Sequence, residues 1–87
     1  MDIERIWSNV KRNEGEVFRQ IKGKEFSYKV NNSGNSIYLS TTNQAITKNL
    51  LAQAVELMPF SSTAPLQHLR APSYLFALLT DNRILQK

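Results

Sequence analysis

His68, Ser73 and Asp81 come nearest to a catalytic trio in this chain. Such sets are recognised by three-dimensional geometry, and any chain of this length offers candidates, so their spacing carries no signal. His68 is the only histidine and cysteine is absent. A zinc site needs three or four ligands at suitable spacing, and none can be drawn. Gly15, Gly23 and Gly34 stand alone, so no glycine-rich loop cradles a phosphate. The seven carboxylates are scattered, without the close pair that general acid–base work requires. The expectation is a non-enzymatic protein with no catalytic, cofactor or metal site.

Binding chemistry is better represented. Arg19, Lys22, Lys24 and Lys29 group together, diluted by Glu16 and Glu25. Either they solvate a hairpin surface, which is the favoured reading, or they form a phosphate-attracting patch. Phe18 and Tyr38 are expected on the same outer face, where aromatic side chains serve protein interfaces or stack on bases. Trp7 reads as core, and Phe60 is a further aromatic candidate for exposure. Arg70 and Arg83 each read as capping carbonyls or pairing with Glu56 or Asp81. The sharper alternative is that they flank a groove for an anionic ligand.

The composition bounds these options. The 87 residues carry a net charge of +4, with 41% hydrophobic and 21% charged side chains, which suits one folded domain over residues 1–87. The basic excess is mild and spread along the chain, weaker than the clustering usual in nucleic-acid binders. Lack of cysteine fits a reducing compartment, and the acidic opening Met1-Asp2-Ile3-Glu4 has no secretory character. The apolar run Leu75–Leu79 falls far short of the ~20 residues of a membrane span. Without secretion, the glycosylation sequon Asn31-Asn32-Ser33 is a chance match. A cytoplasmic protein follows as the expectation.

The elements that must position these residues begin with a helix at about 2–12, where Ile3, Ile6, Trp7 and Val10 share one face. Asp2 caps it, and Asn13 and Gly15 end it. From Glu16 the period becomes two. Closing the runs 16–21 and 25–30 with a two- or four-residue loop places Val17, Ile21, Phe26, Tyr28 and Val30 on one side. That register leaves Phe18 outward and Arg19 inward. A three-residue loop would reverse the first strand and is disfavoured on the count of apolar residues. After the turn at 31–35, Ser36–Ser40 forms a third strand with Ile37 and Leu39 inward. Residues 41–46 read as a connector, Thr47 as the N-cap of a helix stapled by Ile46 and Leu51, and Pro59 as its stop. A helix start at Thr42 or Asn43 is the alternative. Pro65 opens a short turn containing Leu66 and Leu69, and Pro72 a last helix that is apolar nearly all round over Tyr74–Leu79. Arg83-Ile84-Leu85 follow as a docking tail.

Taken together, Trp7, Gly15-Glu16-Val17-Phe18, Gly23-Lys24-Glu25-Phe26-Ser27-Tyr28-Lys29-Val30, Met58-Pro59 and Ala71-Pro72-Ser73-Tyr74…Leu79…Asp81…Arg83-Ile84 resemble a family of small uncharacterised prokaryotic proteins. The resemblance covers nearly the whole chain and departs at Ala71, where the pattern has glycine. It implies the same fold and no assigned activity. The expected architecture is α+β: an N-terminal helix, a three-stranded antiparallel meander and two or three C-terminal helices on one sheet face. The expected function is a small binding module acting on protein or nucleic acid through the outer hairpin face. The alternative is a self-associating subunit, a homodimer that buries Phe18 and Tyr38.

Overall fold

The computed structural model describes residues 2–59 and 61–85. In chain order these form α1 (Ile3–Arg12), β1 (Phe18–Arg19), β2 (Glu25–Phe26), β3 (Tyr28–Val30), β4 (Ser36–Leu39), β5 (Ala45–Thr47), α2 (Lys48–Val55), a single 3-10 turn (Ala64–Leu66), α3 (Pro72–Leu79) and α4 (Asn82–Leu85). The strands make a two-stranded ribbon, β1–β2, and an antiparallel sheet in the order β3–β4–β5. Helices pack on this β structure, giving the α+β class that the sequence indicates.

Helix α1 forms as its periodicity requires. The Asp2 carboxylate accepts from the Glu4 N–H at 2.9 Å, and Ile6, Trp7 and Val10 are buried. Polar contacts to distant elements fix its position. The Trp7 indole donates to the Gly34 carbonyl at 2.8 Å, tying the helix to the β3–β4 turn. The Asn9 amide donates to the Ile84 carbonyl at 2.9 Å, tying it to α4 at the other end of the chain.

The first hairpin corrects the expected facing. Phe18 pairs with Phe26 and Arg19 with Glu25, and the Gln20 N–H donates to the Lys24 carbonyl at 2.9 Å. The loop therefore holds three residues, Ile21-Lys22-Gly23. Gly23 donates back to the Gln20 carbonyl at 2.8 Å and has φ +91°, which is a tight turn followed by a left-handed residue. This odd-length loop reverses β1. Phe18 is 1% exposed, whereas Val17 and Ile21 are each 55% exposed. The physical reason is aromatic packing. The Phe18 ring lies 5.5 Å from that of Tyr28 and 6.0 Å from that of Phe26, and Tyr74 meets Phe26 edge-on at 4.8 Å. Three rings buried together outweigh the area of one Val and one Ile.

The run 25–30 keeps its predicted facing but not its partner. Phe26 and Tyr28 are buried, with Glu25 and Lys29 outward, and the strand changes neighbours at Ser27. The Ser27 N–H donates to the Ser40 hydroxyl and its carbonyl accepts from the Ser40 N–H, both at 2.9 Å. The expected meander of three consecutive strands is therefore split between ribbon and sheet. The expected connector at 41–46 supplies the missing strand, β5, which places Ile37 opposite Ile46 and Tyr38 opposite Ala45.

The later elements follow their caps. The Thr47 hydroxyl accepts from the Leu50 N–H at 3.0 Å, so α2 begins where the sequence places it, and it ends at Val55, ahead of Pro59. Pro72 occupies the first turn of α3. Its preceding residue, Ala71, sits at φ 57°, ψ 52°, the left-handed region. The tail at 82–85 is helical, with Ile84 fully buried. Leu51, Leu66, Leu75, Leu78 and Leu79 complete the core.

Candidate interaction surface

The aromatic cluster is what holds the outer hairpin face in place. Beneath it, the Tyr28 hydroxyl donates to the Val10 carbonyl at 2.7 Å, and burial holds its ionisation well above the ordinary tyrosine value. Above Phe18 the Arg83 guanidinium sits 4.0 Å from the ring centroid. Arg83 also donates to the Asp81 carboxylate at 2.9 and 3.0 Å and to the Val17 carbonyl at 2.9 Å. The hydrogen bonds from Arg83 hold the Asp81 carboxyl below the usual aspartate value, against the opposing effect of burial.

These contacts settle where most of the predicted residues stand. Of the two expected partners of Arg83, the structure selects Asp81. Because that guanidinium is engaged internally, the alternative groove between Arg70 and Arg83 loses one wall. Arg70 itself is exposed and forms no ion pair among the described residues. Asp81 is bound by Arg83, and among the described residues no hydrogen bond joins it to His68 or Ser73. His68 instead lines an open hollow of about 460 Å³ beside Gln53, Glu56 and Leu57. No group of three or more His, Cys, Asp or Glu that could hold a metal occurs among the described residues. Phe60 lies outside the described residues.

The outer surface consists of Arg19, Lys22, Lys24, Lys29 and Tyr38, all exposed, together with Val17 and Ile21. Phe18 is removed from it by burial, which also removes the dimer surface built on Phe18. Arg19 and Glu25 pair across the ribbon at 2.9 Å with both side chains largely in solvent, an arrangement that contributes little stability. Phe26 and Tyr28 both turn inward, so Glu25 and Lys29 lie on the same side of a chain running from β2 into β3. Lys29 pairs with Tyr38 across the sheet, and the Tyr38 side is 56% exposed. The two border a hollow of about 260 Å³ lined also by Ser27, Leu39 and Ser40.

Val17 and Ile21 are the surface residues that sequence reasoning missed. The available signal was Gly23, three residues after Gln20, where a left-handed residue closes an odd-length hairpin loop. Chemically the surface offers apolar contact area bracketed by cations, suited to binding. No helix among the described residues is long and apolar enough to cross a membrane. Comparison of the chain with protein-family models, with curated proteins and with solved structures finds no match in any of the three.

Proposed function

We propose that the chain is a small non-enzymatic binding module that docks on an acidic protein surface through the outer face of its β1–β2 hairpin. One observation carries this reading: Val17 and Ile21 are held 55% exposed on a hairpin whose other face is locked into the core. Exposed apolar side chains grouped among polar ones mark interaction sites more often than isolated ones do. Lys22 and Lys24 beside Ile21, with Arg19 already paired to Glu25, favour a partner with complementary acidic groups. Tyr38 and Lys29 extend the same chemistry onto the neighbouring sheet. The left-handed backbone at Ala71 supports membership of the small prokaryotic family, because this departure from its pattern falls where glycine is the favoured residue. A cytoplasmic setting belongs to the same reading and agrees with a cysteine-free composition.

The test is photo-cross-linking in cells from position 21, with position 49 on the exposed side of α2 as control. A protein captured from position 21 alone is then purified. Its affinity for the wild-type chain should fall about tenfold on Val17→Ser with Ile21→Ser, and should weaken with added salt. A captured protein that binds the double variant as tightly as the wild type sinks the reading, as does a position 21 that cross-links to nothing. Capture of nucleic acid, with a steep salt slope and indifference to the double variant, replaces the protein partner with an RNA or DNA strand.

A further inference from the structure

The two edges of the three-stranded sheet are treated differently. Hydrogen bonds between β3 and β4 use Ser27, Lys29 and Asn31, as the Ser40-to-Ser27 and Asn31-to-Ser36 bonds at 2.9 Å show. The backbone of Tyr28 and Val30 therefore faces away from β4. That edge is covered: the Gly15 N–H donates to the Tyr28 carbonyl at 3.1 Å, and the Val30 N–H donates to the Glu14 carboxylate at 2.7 Å. At the other edge, bonds from Leu39 to the Gln44 carbonyl at 3.4 Å and from Lys48 to the Asn35 carbonyl at 2.9 Å set the phase. Ile46 consequently bonds to Ile37, and Ala45 and Thr47 direct their backbone groups off the sheet. No hydrogen bond to the Ala45 N–H or carbonyl occurs elsewhere among the described residues.

We propose that this β5 edge pairs antiparallel with the β5 edge of a second copy of the chain, joining two three-stranded sheets across a two-fold axis at Ala45. Three observations choose a second copy as the occupant. The Ala45 N–H and carbonyl point to the same side, so a two-fold axis there makes both bonds at once, with no register to search. Residues 41–47, Thr-Thr-Asn-Gln-Ala-Ile-Thr, carry no charge, so two copies of a +4 chain meet where like charges are absent. Lysine and proline, which commonly protect sheet edges, are likewise missing from this stretch. Finally, Tyr38 stands opposite Ala45 on the outer face. In the joined sheet each Tyr38 flanks a pair of small alanines. The site is separate from Val17 and Ile21, so this inference does not depend on the hairpin's partner.

Sedimentation equilibrium of the full chain tests it. The mass should rise from 10.0 kDa toward twice that value between micromolar and millimolar concentration. Amide exchange at Ala45 should slow over the same range, while Ile46, already bonded within the sheet, stays constant. Ala45→Lys keeps the backbone and places like charges across the axis; it should hold the chain at the monomer mass with an unchanged circular dichroism spectrum. Ala45→Pro removes the outward N–H at an edge position that tolerates proline and should do the same. Val17→Ser with Ile21→Ser should leave the association untouched. A constant 10.0 kDa at millimolar concentration overturns the proposal, whether or not an added strand peptide binds the edge. So does a dimer that persists in a folded Ala45→Lys variant.

Discussion

Arg83 makes three kinds of contact at once, with a carboxylate, an aromatic face and a backbone carbonyl. Its planar fork satisfies all three because guanidinium can hydrogen-bond in its plane while stacking through its face. Lysine keeps the charge but loses that geometry. Arg83→Lys is expected to destabilise the fold by about 1–2 kcal/mol, measured by urea denaturation. Asp81 adds a pH dependence whose sign follows from its depressed pKa. The unfolded chain binds the proton more readily, so the stabilisation is complete above the ordinary aspartate value of 3.8. It is lost as pH falls through the lower value of the folded state. In Asp81→Asn the decline of stability in that acid range should flatten; an unchanged acid profile would mean the pair is not coupled to folding.

At the scale of elements, left-handed residues decide how the chain turns. Gly23 has no heavy atom within 4 Å of where a Cβ would stand, so the cost of Gly23→Ala is conformational alone, about 1–2 kcal/mol. Ala71 has the converse problem. Ala71→Gly relieves a left-handed alanine while giving the unfolded chain more freedom, and these effects oppose each other at about 1 kcal/mol each. The variant should unfold at or slightly above the wild-type midpoint, whereas Ala71→Val should lower it clearly. These same positions mark the limit of what could be read from sequence. α1, the cap at Thr47, the facing of Phe26 through Leu39 and the helix opened by Pro72 were legible, because each depends on local periodicity or a local cap. The facing of β1 was not. Both loop parities are sterically available, and the choice rests on long-range packing of Phe18 with Phe26 and Tyr28. Strand β5 was missed because only Ile46 among residues 41–47 announces a buried position. The surface inherits this division: Arg19, Lys22, Lys24, Lys29 and Tyr38 were readable as candidates, whereas Val17 and Ile21 entered only when β1 reversed.

At the scale of the whole molecule, the first and last helices close the core together. The Asn9–Ile84 bond spans 75 positions in the chain, α1 packs against α4, and Ile84 is fully buried. Arg83 carries the same tie onward to the ring of Phe18 in β1. A four-residue helix cannot persist alone, so α4 owes its form to this packing, and the packing in turn seals α1. Two outcomes can be distinguished for Ile84→Ala. If α4 is an integral part of the core, the variant loses about 2–4 kcal/mol, a large share of the roughly 4–13 kcal/mol available to a chain of this length. The urea midpoint should then fall at constant slope, with Trp7 fluorescence and backbone circular dichroism moving as one transition. If α4 were a detachable tail, the midpoint would barely move and exchange would accelerate only at its own amides. The first outcome is expected, because the side chain removed is fully buried in the core.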